Sequence, residues 1–303
     1  MTARILIAGE ALTDIVVDAD GGRREYPGGS PMNVAVALAR LGHDAHLLTA
    51  IGEDPRGEAI RAHLDDSGVH LTPSSVGPGR TSTAEAVLDA SGAATYTFDL
   101  AWDPDPAGLP SDLDAVHTSS IAAVMEPGAS TLAELLRTAR TAATISYDPN
   151  ARPTLMGEPA DVRARIEENI ALSDVVKASD EDVTWLYGTE DVEDVVSSWR
   201  ELGPSLTVLT RGGEGSVAFS ESGRVQVAPV PVEVVDTVGA GDTFSAGILD
   251  ALADKDLLGA DRREMLGAIP SDELAAVLRR AARLAAITVS RAGANPPWSR
   301  ELT

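Results

Sequence analysis

Late in the chain, Asp236–Gly247 reads DTVGAGDTFSAG and carries the densest set of chemistry-bearing residues. Gly239-Ala240-Gly241 leaves the backbone almost bare where a helix is set to begin, so its N–H groups can close on an anion. Asp242 follows in the first turn. One reading makes it a complement to the helix dipole. Another makes it a base that takes a hydroxyl proton while the N–H groups hold charge on a transferring phosphoryl group. The polar flanks Asp236, Thr237 and Thr243 favour the second. The dipole itself is expected to lower the pKa of Asp242, leaving alignment to supply much of its effect.

A second cluster is Pro27–Gly42, PGGSPMNVAVALARLG. Ser30 reads as an N-cap, Pro31 as the first helical residue and Gly42 as the stop, which explains a helix without any function. Asn33 in the first turn adds a group that donates and accepts, as a polyhydroxylated ligand demands. Asp14, soon after the first strand, is its expected acidic partner.

These residues need a frame. Apolar runs predict strands at Arg4–Gly9, Ala45–Ile51, Ala115–Ile121, Ala143–Tyr147, Asp174–Ala178 and Leu206–Thr210. Helical patterns fall at Pro31–Leu41, Pro55–Ser67, Ala129–Thr141, Ala160–Leu172, Glu181–Leu186, Val192–Leu202, Gly241–Ala253 and Asp272–Ser290. Such alternation predicts βαβ units and an α/β fold with a mainly parallel sheet flanked by helices, in one unit over residues 1–303. Gly9-Glu10, Asp148, Lys177 and Thr210 fall at or just past predicted strand ends, the edge where open α/β sheets bind ligands. Lys177 reads either as a solvated strand end or as local positive charge for a phosphate.

Segments 13–26 and 81–100 break the rhythm as hairpin-like insertions with DGG and ASGA turns. Together they predict a small β-sheet lid, with Val16, Val87, Tyr96 and Phe98 on its apolar side. A third hairpin is expected at Ser216–Val227.

Composition excludes whole classes of function. The 303 residues hold 24 Lys+Arg against 47 Asp+Glu, a net charge of −23, which repels nucleic acid and anionic membranes. No run approaches the roughly 20 apolar residues of a membrane helix. There are no cysteines, which removes disulfides and thiolate chemistry and fits a cytoplasmic protein. No Gly-Lys pair, HRD, DFG or GxSxG occurs, which argues against P-loop kinases, protein kinases and α/β-hydrolases. His43 and His46 are expected at the surface, and Trp102 is the tryptophan expected near substrate.

The two glycine-rich signatures, in this order and with AIGEDPRGE, DPNAR, VKASDED and LTRGGEGS between them, resemble the ribokinase (PfkB) family of carbohydrate kinases along nearly the whole chain. The resemblance implies a ribokinase-like sandwich with a β lid over the sugar, and the cofactors ATP and Mg²⁺. It makes Asp242 the base and Gly239, Ala240 and Gly241 the anion hole. Asp14, Gly28, Gly29, Asn33 and Phe98 become sugar contacts. Arg152 meets the transferred phosphate or an acidic group on the substrate. The nucleotide falls to Lys177, Ser179, Thr210, Gly212, Gly215, Gly239, Gly241 and Asn295, with Gly293 to Asn295 closing the adenine pocket. The family's Asn-x-x-Glu is replaced by Ser179 and Asp182. The shorter Asp182 suits a water-bridged Mg²⁺, but the same pair also reads as a plain helix cap. Asp236 and Thr237 are a candidate K⁺ site. Family lids often cross between subunits, which implies a homodimer formed lid against lid.

For the substrate, GEALTD, YTFDLAWDP, SSIA and DPNARP are most similar to fructokinases. A 2-keto-3-deoxygluconate kinase is the alternative. An acidic sugar calls for a further cation by the second lid strand, where Asp99 stands instead. Ribokinase and a non-catalytic sugar or nucleotide sensor complete the readings.

Overall fold

The structure, a computed structural model, describes residues 1–89 and 94–302. The expected ASGA turn, residues 90–93, lies outside them. The N-terminal third comprises β1 (Arg4–Ala8), β2 (Leu12–Val17), β3 (Arg23–Gly28), α1 (Ser30–Leu41), β4 (Asp44–Leu48), β5 (Ile51–Gly52), α2 (Pro55–Ser67), β6 (His70–Leu71), β7 (Val76–Gly77), β8 (Thr83–Leu88) and β9 (Ala94–Asp99). The middle comprises β10 (Ala115–Ser119), α3 (Gly128–Ala139), β11 (Thr144–Asp148), α4 (Pro153–Met156), α5 (Pro159–Leu172), β12 (Val175–Ser179), α6 (Asp180–Tyr187) and α7 (Val192–Ser198). The remainder is β13 (Leu206–Thr210), β14 (Ser216–Ser220), β15 (Gly223–Val227), α8 (Ala240–Asp254), α9 (Arg263–Gly267) and α10 (Ser271–Val289).

Among the described residues the main sheet has nine strands in the order β15-β14-β13-β12-β11-β10-β1-β4-β6. Pairing is parallel from β13 through β6, and the hairpin β14–β15 joins antiparallel at one edge. Successive strand residues face opposite sides, so β1 feeds two cores. Ile5 and Ile7 pack with Val34 and Leu38 of α1, Leu249 of α8 and Leu278 of α10. Leu6 and Ala8 pack with Leu132 and Leu136 of α3 and Ile166 and Ile170 of α5. The sequence direction reverses between β1 and β10, the switch point at which such sheets open a crevice. Ser119, Asp148, Ser179 and Thr210 end strands along that edge, and Gly9-Glu10 lies just past the end of β1.

The expected lid forms a separate sheet in the order β3-β2-β8-β9. Its register corrects the expected apolar side. Asp14 pairs with Tyr26 and Ala84, Ala84 with Phe98, Val16 with Ala86 and Ala86 with Tyr96, so Val16, Tyr96 and Phe98 share a face with Asp14. Val87 pairs with Val17 and Thr95 on the opposite face. Asp99 pairs with Thr83, also opposite Asp14, and meets Arg80 at 2.7 Å. Its charge therefore lies on the face opposite Asp14 and is offset by Arg80.

Two aromatic expectations also change. His43 is buried: its Nδ1 accepts the Ala3 N–H at 3.2 Å, so the proton sits on Nε2, 3.1 Å from Asp250 Oδ1. Arg280 holds the same carboxylate. Trp102 is also buried and donates its Nε1–H to Ala122 O at 3.0 Å. Its ring fills the space that a Cβ on Gly128 would occupy, so it is a packing residue. No helix of the described residues is long and apolar enough to cross a membrane.

Candidate active site

Helix α8 begins at Gly239, whose φ of +76° suits a residue without a Cβ, and no side chain caps it. Ala240 N–H turns back to Thr237 O at 3.2 Å. That leaves the Gly241 and Asp242 N–H groups, which lack an acceptor one turn back, as the donors for an anion. A Cβ added to Gly241 would lie 3.0 Å from Lys177 Nζ, so a buried ammonium stands directly beside this helix end. Lys177 is fixed there by Asp148 at 2.9 Å, and Ser245 donates to the same Asp148 oxygen at 3.1 Å. Burial pushes the Asp148 carboxyl up to about 6, with Lys177 opposing and Asp182 and Asp242 adding to the rise. Burial also works against the Lys177 charge, yet Asp148, Asp182 and Asp242 together hold its pKa above the usual value.

Asp242 is 6% exposed. Its Oδ1 accepts the Ser30 hydroxyl at 2.7 Å and an Asn150 N–H at 3.3 Å, and its Oδ2 accepts the Asn33 amide at 2.8 Å. Burial raises its pKa, with Asn33, Ser30, Arg152 and Lys177 opposing. The expected depression by the helix dipole is therefore reversed, because loss of water outweighs it. A base so raised is stronger than a surface aspartate. Ser30 is not the N-cap of α1. Gly29 takes that place and makes no side-chain bond, which releases the Ser30 hydroxyl to reach Asp242.

Asp14 projects from β2 beneath Gly28 on the paired strand β3. A Cβ on Gly28 would fall 2.0 Å from Asp14 Oδ2, so a larger residue there would force this carboxylate to move. Burial pushes the Asp14 carboxyl up to about 6 against the pull of Arg152. Gly29 lies against the backbone of Glu10. Arg152 lowers the pKa of Asp14, Glu10 and Asp242 alike, which places three carboxyls around one guanidinium. It makes no ion pair among the described residues. Its Nη1 donates to Asn150 O at 3.1 Å, Asn150 Oδ1 at 2.7 Å and Ala151 O at 3.0 Å.

The remaining expected residues line the edge or serve structure. Thr210, Gly212 and Gly215 form a turn closed by Arg211 N–H to Gly215 O at 2.9 Å. Exposed Asn295 is held through its Oδ1 by Arg40 at 2.7 Å. Phe98 stacks on Tyr96, with ring centroids 6.0 Å apart, on the Asp14 face of the lid. Ser179 and Asp182 form a reciprocal capping box, and the second Asp182 oxygen accepts Ala151 N–H at 2.7 Å. Both Asp182 oxygens are thus engaged by backbone. No group of three or more acidic or histidine side chains suited to a metal occurs among the described residues. Asp236 accepts Val238 N–H at 3.0 Å and Gly293 N–H at 2.8 Å, bonds that keep it ionised and tie two loops together.

Asn150 and Ser119 are not among the residues expected at the site, Glu10 is expected there only as a strand-end residue on the ligand-binding edge, and Ser30 reads in the sequence as a cap. Their signals were present but faint: Asn150 lies two residues before Arg152, and Glu10 follows Gly9 at a strand end.

Unpaired N–H groups at a helix start beside a buried lysine, and a raised aspartate among hydrogen-bonding side chains next to a lid, suit phosphoryl transfer to an alcohol. The profile of the pfkB family carbohydrate kinases matches residues 3–301. The chain belongs to the pfkB family of carbohydrate kinases. It is 37% identical to a fructokinase of Rhizobium leguminosarum bv. trifolii over 84% of this chain and 81% of that one. Fructokinase with bound ATP from Xylella fastidiosa superposes with a TM-score of 0.83 at 26% identity, covering 97% of this chain and 94% of the other. A fructokinase double mutant from Vibrio cholerae O395, in its fructose-, ADP- and potassium-bound form, has a TM-score of 0.75 at 26% identity and the same coverage. This kinase thus shares the ribokinase-like architecture expected from its sequence.

Proposed function

We propose that this kinase transfers the γ-phosphoryl group of MgATP to a primary hydroxyl of fructose. The observation that carries the reading is the meeting of Asp242 and Asn33 beside the bare start of α8, with the likeness to fructokinases naming the sugar. Fructose lies under the lid against Asp14, Gly28, Gly29 and Asn33, with Phe98 on the same lid face. The nucleotide follows the strand ends past Ser179, Thr210, Gly212 and Gly215 towards Asn295. Asp242 receives the hydroxyl proton as the oxygen attacks. The Gly241 and Asp242 N–H groups and Lys177 hold the charge that develops on the phosphate, and Arg152 meets the transferred group. Lid closure keeps water from competing as acceptor.

A potassium ion, present in the Vibrio cholerae relative's bound form, would be held here by Asp236 and Thr237. It would add positive charge to the loop that opens the anion hole. The lid leaves Tyr26 and Tyr96 about half exposed on the Asp14 face, at 50% and 57%. We read that face as the contact of a homodimer formed lid against lid.

The test is ADP release from MgATP with fructose, ribose, 2-keto-3-deoxygluconate and aminoimidazole riboside as acceptors. Fructose is expected to give the highest kcat/KM, and Asp242→Asn to lose about 10²–10⁴-fold in turnover with sugar affinity kept. Preference for another acceptor overturns the substrate. Turnover of Asp242→Asn near wild type overturns the base.

A further inference from the structure

We infer that Asn150 is a positioning residue for phosphoryl transfer: together with Ser30 it orients Asp242 and keeps it ionised, and it ties that carboxylate to Arg152. The inference rests on the reading of Asp242 as the base.

The hydrogen-bond chemistry leaves one arrangement. A guanidinium only donates, so the Asn150 atom 2.7 Å from Arg152 Nη1 is the amide oxygen. The amide nitrogen then faces the other way, with its two hydrogens on Ser30 Oγ at 2.7 Å and Asp242 Oδ1 at 3.3 Å. Ser30 has a single hydrogen, and it goes to Asp242 Oδ1. Its two lone pairs therefore accept Asn150 N–H and the hydroxyl of Ser119, 2.8 Å away. Both amide hydrogens of Asn150, and the hydrogen and both lone pairs of Ser30 Oγ, are used. Oδ1 of Asp242 carries two donors, while Oδ2 carries Asn33 alone.

The backbone is consistent with a demand imposed from outside. Asn150 has φ +38° and Ser120, beside Ser119, has φ +61°. Non-glycine residues stay in that region where surroundings over-determine them, commonly at active sites. The charges facing Asp242 are Arg152 and Lys177, which favour its ionised form, and Asp148, which opposes it. Donors on Oδ1 add to the first pair, so their loss protonates the base at a higher pH.

The experiment compares Asn150→Asp, Asn150→Ala, Ser30→Ala and Asp242→Asn in kcat, fructose KM, the pH profile of kcat, and thermal melting. Asn150→Asp is the decisive variant. It keeps the shape and an oxygen for Arg152 but exchanges both donors for a negative acceptor. Loss of one charge-assisted donor predicts a fall in kcat of roughly 10- to 100-fold. Fructose KM should change by less than about threefold, because ground-state binding is spared. The acid limb of kcat should move up by about one pH unit in Ser30→Ala and Asn150→Ala, and further in Asn150→Asp. An Asn150→Asp enzyme with near wild-type kcat overturns the inference, since Asn150 would then serve Arg152 alone. So does a fall in kcat with an unmoved acid limb, the mark of a merely structural role. If Asn150→Asp does not fold, Ser30→Ala and Asn150→Ala carry the same two readouts. An active Asp242→Asn refutes the base itself, whereas an inactive Asp242→Asn beside an unimpaired Asn150→Asp refutes only the role of Asn150.

Discussion

Glu10 sits where the main sheet hands the chain to the lid, and burial pushes its carboxyl up to about 8 despite donors from Ala122 N–H and the Ser120 side chain. It is neutral in the folded protein near pH 7, whereas the same residue ionises near 4.5 when the chain unfolds. A folded pKa above the unfolded one gives stability that is complete below pH 4.5 and is lost as pH rises through 8. At roughly 1.36 kcal/mol per unit, the shift is worth about 5 kcal/mol in full. About 4 kcal/mol of that is lost between pH 5 and pH 9. Glu10→Gln has the shape of the neutral acid and cannot ionise, so its stability should not follow that loss. For a chain of this size, roughly 2 °C per kcal/mol applies. The wild-type melting temperature, taken relative to Glu10→Gln, should therefore fall by about 8 °C from pH 5 to pH 9. Calorimetry of both proteins across that range is the assay. A difference in melting temperature that stays constant with pH would show that Glu10 is not a buried neutral acid, and the reasoning would fail.

Gly28→Ala drives a Cβ into Asp14 Oδ2, so fructose KM should rise at least about tenfold while the protein still folds, as steady-state kinetics and circular dichroism can report. Lys177→Met strips the partner from buried Asp148. It should cost about 3–5 kcal/mol at pH 8 and less at pH 5, where Asp148 takes up a proton, measured by urea unfolding. Arg152→Ala should lower kcat by roughly 10- to 100-fold with little change in melting temperature, because exposed Arg152 makes no ion pair among the described residues. Tyr96→Asp should convert a lid-mediated dimer to monomer in sedimentation at micromolar concentration. Val87→Asp, on the opposite lid face, should leave the dimer intact.

The βα rhythm was legible because each strand carries a short apolar run and each helix an apolar stripe, both local patterns. The cap at Ser179 and Asp182 was legible for the same reason: its partners are three residues apart. What escaped was set by contacts across the chain. Ser30 looks like a cap before Pro31, but its hydroxyl serves Asp242, 212 positions away. Asn150 reaches the same carboxylate across 92 positions. Lid parity escaped as well. Whether Val87 shares a face with Val16 depends on the β2–β8 register, and a shift of one residue exchanges the faces. The pKa of Asp242 was misjudged because the helix dipole is visible in sequence, whereas the burial that outweighs it comes from packing.

The two cations nearest Asp242 are held in opposite ways, and the difference bears on mechanism. Lys177 lies locked between Asp148 and the start of α8, so its charge stands in place before any nucleotide arrives and needs no reorganisation when charge develops. Arg152 is exposed and rests on the amide and carbonyl oxygens of Asn150 and on Ala151 O, neutral acceptors that hold a guanidinium less strongly than a carboxylate. It can turn towards an incoming phosphate by giving up hydrogen bonds to neutral acceptors, with no ion pair among the described residues to break. In a protein of net charge −23, a fixed cation already paired with Asp148 gives a polyanion limited compensation, and a second one paired the same way would add little. On the proposed reading, Arg152, which makes no ion pair among the described residues and is tethered by Asn150 to Asp242, supplies charge at the step where the phosphoryl group and Asp242 act together.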